Sequence, residues 1–71
     1  MFENTIHKHV EDAKESGKSI SEIIEESGVG RTSFYAIMNG EQVPKIDTAY
    51  KLAKVFGISI IELFPELKEV Q

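Results

Sequence analysis

The first apolar residues of the chain recur at helical spacing. They stand four, four and three residues apart, which brings them to one face of a helix: Phe2, Ile6, Val10 and Ala13. We predict this first helix over residues 3–15, with Gly17 marking its end.

A second, short helix is predicted over residues 19–27. It opens with the pattern of a capping box, in which the Ser19 hydroxyl accepts the N–H of Glu22 and the Glu22 carboxylate accepts the N–H of Ser19. Its inner face consists of three isoleucines: Ile20, Ile23 and Ile24. Gly28 follows at the position where a left-handed residue commonly ends a helix.

Three more helices follow, over residues 31–39, 46–56 and 59–66. Gly40 and Gly57 end the first two, and the third opens with a second capping box, Ser59 to Glu62, and is limited by Pro65. The inward residues of the fourth helix are Ile46, Ala49, Leu52, Ala53 and Phe56. No stretch alternates apolar and polar residues as a strand would, so the predicted fold is all-α, a single five-helix domain over residues 1–71.

The second and third helices are joined by only three residues, Gly28-Val29-Gly30. Two short helices across such a turn are typical of a DNA-reading helix-turn-helix, in which the second helix enters the major groove. Gly28 can take the left-handed conformation that the reversal needs, and Val29 is placed to fill the angle between the helices. The pattern therefore predicts a sequence-specific DNA-binding domain.

The third helix carries small or polar side chains on the face away from the core. At about 100° per residue, Phe34 and Ile37 point inward with Met38 beside them. The outward side chains are Thr32, Ala36 and Asn39, with Ser33 and Tyr35 at the margins and Arg31 in the first turn. Arginine suits a bidentate contact to guanine, and alanine suits contact with the thymine methyl group. This face favours close approach to base edges.

The segments Gly28–Gly40, Pro44, Ile46–Thr48 and Lys51–Phe64 together resemble the Cro/repressor (XRE-type) helix-turn-helix family. The resemblance covers about residues 19–64. It implies a compact lambda-repressor-like domain with a helix-turn-helix, acting as a homodimeric transcriptional repressor or Cro-like regulator on double-stranded DNA. Proteins of this family are often encoded on phages or other mobile elements.

The resemblance also implies a set of DNA contacts. It gives base contacts to Arg31, Thr32 and Ala36, to which we add Tyr35 from its place at the margin of the same face. The residues that we expect at the DNA backbone are Ser19, Ser33, Asn39, Gln42 and Lys45. No cofactor and no small-molecule ligand is expected.

A dimer interface is predicted near the end of the chain. Apolar residues accumulate there beyond what a 71-residue domain can bury, and exposed apolar patches commonly mark association surfaces. The residues assigned to this interface are Ile61, Phe64, Leu67 and Val70.

Charge is distributed unevenly along the chain, although the net charge of −4 is unlike that of most nucleic-acid binders. Residues 1–30 carry three lysines against seven acidic residues, whereas residues 31–54 carry four basic residues against two acidic ones. The positive segment contains the proposed DNA-reading helix.

Other classes of function find little support in the sequence. His7 and His9 stand two apart on a helix, so their rings diverge, and the chain has no cysteine, which argues against a metal site. A chain this small has little room for a substrate pocket of several hundred Å3, so an enzyme is not expected. No apolar run is long enough to span a bilayer and no signal peptide is evident, which predicts a cytoplasmic protein.

One alternative stays open. Ile20 and Glu41 replace residues that usually contact phosphate in the family, and the second helix carries Glu22, Glu25 and Glu26. These features favour the same fold used as a protein-interaction module, such as an antirepressor, an inhibitor or an antitoxin.

Overall fold

The computed structural model describes residues 3–69, and the side chains of residues 3–67. It contains five α-helices and a short 3-10 helix: α1 (Ile6–Glu15), α2 (Ile20–Ser27), α3 (Arg31–Met38), α4 (Ile46–Phe56), α5 (Ile60–Leu63) and the 3-10 helix Pro65–Glu69. Residues 3–69 include no strand, which confirms the all-α prediction. No helix in this part of the chain is both long and apolar enough to cross a membrane.

Helix α1 begins three residues later than predicted, because the chain before it makes other hydrogen bonds. The Asn4 side-chain oxygen accepts the N–H of Ile6 at 2.9 Å, and the Thr5 N–H donates to the carbonyl of Leu63 at 2.9 Å. Residues 3–5 are therefore not helical. Phe2, which was placed on the apolar stripe of this helix, lies outside the described residues.

Serine hydroxyls cap two of the helices as predicted. Both arms of the Ser19–Glu22 capping box are present, with the Glu22 N–H 3.2 Å from the Ser19 hydroxyl oxygen. The Ser59 hydroxyl accepts the N–H of Glu62 at 3.1 Å. The second capping box is only half formed, because within residues 3–67 the Glu62 carboxylate does not accept the N–H of Ser59. Helix α5 ends at Leu63 rather than at residue 66, because Phe64 leaves helical geometry at φ −126 and ψ 79 and Pro65 has no N–H to continue the helix.

Three helices end in the same way, at a glycine with positive φ. Gly17, Gly40 and Gly57 have φ values of 93°, 78° and 72°. In each case the N–H of the next residue returns to a carbonyl five residues earlier, as Glu41 does to Ala36 at 2.9 Å. These are Schellman-type ends, which satisfy carbonyls that the helix itself leaves without partners.

One apolar core draws on all five α-helices. Its largest fully buried side chains are Phe34, Phe64, Ile6, Ile23, Ile37, Leu52 and Leu63. The prediction that Ile46 points inward was wrong: it is 68% exposed. Ile46 is the first residue of α4, one turn before the first buried residue Ala49, and Pro44 is buried at this end of the helix instead.

Candidate nucleic-acid interface

The turn between α2 and α3 is closed by a buried serine. The Ser27 hydroxyl donates to the carbonyl of Ile24 at 2.7 Å and accepts the N–H of Val29 at 3.1 Å. Gly28 adopts φ 75°, the left-handed conformation expected of it, and Val29 packs against the core as predicted. The two helices are therefore held at a fixed angle by hydrogen bonds and by apolar packing.

The first turn of α3 has no side-chain cap among the described residues. Gly30 precedes it in an extended conformation, with φ −60° and ψ 146°, and has no side chain to bond with the free N–H groups. Helices α2 and α5 are capped by Ser19 and Ser59, whereas α1 and α4, like α3, have no side-chain cap from the N-cap residue. The N–H groups at the start of α3 are thus open to an external acceptor, and phosphate is a common acceptor at helix N-termini.

The inner face of α3 anchors the helix to the core. Phe34 and Ile37 are fully buried and Met38 nearly so, which confirms their predicted orientation. Tyr35 is half-buried, with its ring centroid 6.0 Å from that of Phe34 in an edge-to-face arrangement. This packing fixes which side of α3 remains on the surface.

The outer face of α3 is open. Arg31, Thr32 and Asn39 are exposed, and Ser33, Tyr35 and Ala36 are half-buried. Thr32 and Ala36 therefore reach the surface instead of lying within the core. The structure brings the four residues predicted to contact bases together along this one short helix, in the order Arg31, Thr32, Tyr35 and Ala36.

The loop after α3 carries the remaining candidates for backbone contact. Gln42 and Lys45 are exposed on it, and the Glu41 N–H, bonded to the carbonyl of Ala36 at 2.9 Å, ties its start to α3. Together with the exposed Asn39, these residues extend the candidate surface beyond the C-terminal end of the helix.

Ser19 does not fit the phosphate contact predicted for it. Its hydroxyl accepts the Glu22 N–H and donates to the Glu22 carboxylate at 3.2 Å. The donor that a phosphate would need is thus engaged, and the adjacent carboxylate would repel a phosphate. We therefore leave Ser19 out of the proposed interface.

The basic residues of the candidate surface carry charges that the protein does not neutralise. Among the described residues, the ion pairs are Lys14 with Glu11 and Lys18 with Glu26, all within residues 11–26. Within residues 3–67 no acidic side chain pairs with Arg31 or Lys45. The Arg31 guanidinium is therefore available to an acceptor outside the protein.

The described residues that were predicted to form a dimer interface differ in exposure. Phe64 is fully buried in the core and cannot contact a partner. Leu67 is half-buried and packs against the core, while Ile61 is 40% exposed. Val70 lies outside the described residues. Among the predicted interface residues that the structure describes, only Ile61 is substantially exposed.

A larger exposed apolar surface lies elsewhere. Val43, Ile46 and Tyr50 are 62%, 68% and 59% exposed, and they recur at steps of three and four from the loop into α4. We call these three residues the α4 stripe. The sequence missed it because helical spacing assigned Ile46 to the core and gave no reason to separate it from Ala49.

Among the described residues, two open surface grooves have volumes of about 510 and 430 Å3. The larger groove lies between α1, α2 and α4 and includes His9 and Phe56, and neither groove is lined by α3. Among the described residues, no cluster of three potential metal ligands is found.

Comparison with known proteins bears on the turn and the helices around it. A helix-turn-helix family model matches residues 11–63, which include α2, the turn and α3. The chain belongs to the helix-turn-helix family. The match confirms the resemblance to Cro/repressor (XRE-type) proteins that the sequence showed.

The chain is also similar to a characterised protein. It is 47% identical over 36 residues to the cryptic phage CTXphi transcriptional repressor RstR of Vibrio cholerae. The matched segment covers 51% of this chain and 32% of that protein, so the chain spans only about a third of its relative. No solved structure matches the chain.

Proposed function

We propose that this chain is a sequence-specific DNA-binding transcriptional regulator, a repressor or Cro-like protein, that places α3 in the major groove of an operator. The observation that carries the proposal is the outer face of α3, which is open to solvent and carries mainly small or polar side chains. Within residues 3–67 its Arg31 has no acidic partner, while Phe34 and Ile37 hold the opposite face in the core. The name of the phage relative supports repression as the regulatory effect.

Each residue of this face has a chemical role in the proposal. The Arg31 guanidinium donates two hydrogen bonds to guanine O6 and N7, and the Ala36 methyl group contacts a thymine methyl group. Thr32 and Tyr35 lie beside them, where their hydroxyl groups can donate to or accept from base edges. Short side chains matter because they let the helix backbone come close to the bases.

Backbone contacts orient the domain on the duplex. The uncapped N–H groups at the start of α3 bond one phosphate, and Ser33, Asn39, Gln42 and Lys45 contact others on either side. The proposal needs no cofactor and no catalytic step. A regulator of this kind works in the compartment that holds the DNA, which we take to be the cytoplasm.

The proposal includes a homodimer formed through the α4 stripe. On α4, Asp47 and Lys54 lie on the side of Ile46 and Tyr50 that faces away from the core, seven residues apart. If two copies pack this edge of α4 antiparallel about a two-fold axis, Asp47 of each copy comes opposite Lys54 of the other. The surface is thus complementary to itself in charge as well as apolar, as a two-fold interface requires.

The proposed DNA contact is tested by affinity and selectivity. A duplex selected from a random pool by the wild-type chain serves as the operator, and fluorescence anisotropy compares it with a scrambled duplex. We expect Arg31→Ala to lose about 1–3 kcal/mol of discrimination at one base pair. Lys45→Ala should weaken binding to both duplexes by the same factor. It should also lower the slope of log affinity against log salt concentration by about one.

Lys14→Ala is the matched control, because Lys14 is an exposed lysine of α1 that pairs with Glu11 away from the candidate surface. It should leave both affinities and the salt slope within error of wild type. A wild-type chain that binds every duplex weakly and equally would contradict the proposal.

That contrary result would favour a second function, a protein-interaction module of the antirepressor, inhibitor or antitoxin kind. The observation behind it is the outer face of α2, where Glu22, Glu25 and Glu26 are all exposed. Such a face would suit a basic protein partner better than it suits DNA.

A further inference from the structure

The side chain of Asn4 joins the start of α1 to the end of α3. Its Nδ2 group donates to the carbonyl of Ile37 at 2.9 Å and to the carbonyl of Met38 at 3.3 Å. Its Oδ1 atom accepts the N–H of Ile6 at 2.9 Å. One amide group thus makes hydrogen bonds to two residues that lie 33 and 34 positions away in the sequence.

The neighbours of Asn4 bind the other end of the molecule. Thr5 donates its N–H to the carbonyl of Leu63 at 2.9 Å and its hydroxyl to the carbonyl of Glu62 at 3.0 Å. The Glu3 N–H donates to the Glu66 carboxylate at 2.7 Å. Residues 3–5, which we call the N-terminal strap, therefore tie α3 to the end of α5 and the 3-10 helix.

The last carbonyls of a helix have no partner within it, so whatever binds them also fixes the helix end. The Ile37 carbonyl receives the Gly40 N–H at 3.0 Å and the Asn4 amide, one for each lone pair. The other end of α3 is held by Ser27 and Val29 at the turn. The Asn4 bonds thus fix the end of the helix that carries Ala36 and Asn39.

The start of α1 does not by itself require asparagine. Serine or aspartate supplies an oxygen that can accept the Ile6 N–H, and both are good residues at helix starts. Only an amide side chain of this length combines that acceptor with two donors. The amide is therefore explained by α3 and not by α1.

We infer that Asn4 is a positioning residue for DNA reading, which contacts no DNA and holds the C-terminal half of α3 at the angle that its outer face needs. The inference rests on the proposed function of that face. Base contacts depend on orientation to within a fraction of an ångström, so a small tilt of α3 lowers selectivity before it lowers stability.

The test compares Asn4→Ser with Thr5→Val in the full chain. Asn4→Ser keeps an acceptor for the Ile6 N–H and removes the Nδ2 amide that donates to α3. Thr5→Val removes one hydrogen bond from the same strap to α5. Asn4→Asp, which keeps the size and the acceptor, is a second variant in case serine frays α1. All are measured under conditions in which urea titration shows them fully folded.

Amide hydrogen exchange reports the position of α3 without any DNA. The amides to follow are those of Asn39, Gly40 and Glu41, which bond to carbonyls of Tyr35, Ile37 and Ala36, each relative to Leu52 in α4. We expect Asn4→Ser to speed their exchange about ten-fold, the equivalent of one lost hydrogen bond. Thr5→Val should stay within about three-fold of wild type.

The second measurement is the ratio of affinities for the selected and scrambled duplexes. We expect this ratio to fall about ten-fold in both Asn4 variants and to be unchanged in Thr5→Val. Equal exchange and equal ratios in the Asn4 and Thr5 variants would overturn the inference. If the wild-type chain selects no duplex, the proposed function fails, and the exchange data still decide whether Asn4 holds α3.

Discussion

At the residue scale, one buried hydroxyl makes two of the hydrogen bonds that close the turn between α2 and α3. Ser27 is 6% exposed and bonds both to α2, through Ile24, and to the turn, through Val29. Ser27→Ala leaves the Val29 N–H without its acceptor in a part-buried site. We expect a loss of about 1–3 kcal/mol in the free energy of unfolding, measured by urea denaturation.

Ser16→Ala is the matched control for Ser27→Ala. Ser16 is exposed and its hydroxyl makes one hydrogen bond, to the carbonyl of Asp12 at 3.3 Å. This variant should stay within about 0.5 kcal/mol of wild type, as surface substitutions usually do. Equal losses in the two variants would show that the Ser27 hydroxyl does not hold the turn.

At the element scale, the turn between α2 and α3 contains two glycines with different backbone conformations. Substituting each by alanine distinguishes the effect of backbone strain from that of steric crowding. An added Cβ would meet nothing within 4 Å at Gly28 or at Gly30, but Gly28 has φ 75° and Gly30 has φ −60°. Gly28→Ala should therefore cost about 1–2 kcal/mol of stability through left-handed strain. Gly30→Ala should stay within about 1 kcal/mol of wild type, because its backbone suits alanine.

Thermal and urea unfolding of the two glycine variants measure this difference directly. A smaller loss for Gly28→Ala than for Gly30→Ala would mean that the left-handed turn is not needed for the native state. Neither substitution adds charge or removes a side-chain contact, so changes in long-range electrostatics do not enter the comparison.

The helices also show what the sequence could and could not predict. Caps and glycine ends depend on neighbouring residues, so the starts of α2 and α3 and the ends of α1 and α4 lie within one residue of expectation. The start of α1 was wrong because residues 3–5 make other hydrogen bonds: the Asn4 side chain accepts the nearby Ile6 N–H and also donates to α3, far away in sequence. No local pattern encodes the bonds to α3.

The candidate site was likewise predicted only in part. Helical spacing correctly separated the outer face of α3 from Phe34 and Ile37, because the core packs on one side only. Helical spacing failed for Ile46, and the excess of apolar residues near the end of the chain misplaced Phe64, because the burial of both depends on which other elements lie next to them. Spacing gives the face of a residue relative to its own helix and does not say where the core ends.

At the scale of the whole molecule, the proposed function has to overcome an unfavourable net charge of −4. The acidic excess belongs to residues 1–30, most of which form α1 and α2, whereas residues 31–54, which contain α3, the loop after it and most of α4, carry four basic residues against two acidic ones. This uneven distribution favours approach to a phosphate backbone through the segment that carries α3.

Dimer formation belongs to the same scale, and substitutions can test which of two candidate surfaces forms the interface. Ile46→Glu and Tyr50→Glu put like charges into the α4 stripe, whereas Ile61→Glu changes the C-terminal surface that the sequence favoured. All three side chains are exposed, so the folded monomer should tolerate each change. We expect sedimentation velocity to show a shift to monomer for the first two variants and a wild-type distribution for Ile61→Glu.

The consequence for DNA follows from geometry, since a two-fold dimer reads half-sites about 34 Å apart and gains avidity from binding both. The stripe variants should therefore lose about 100-fold or more in affinity for a two-site operator and keep wild-type affinity for a single half-site. Lys14→Glu controls for added negative charge away from the stripe. If only Ile61→Glu dissociates the dimer, the interface lies at α5 and not at the α4 stripe. The proposed reading of DNA by α3 would be unaffected by that result.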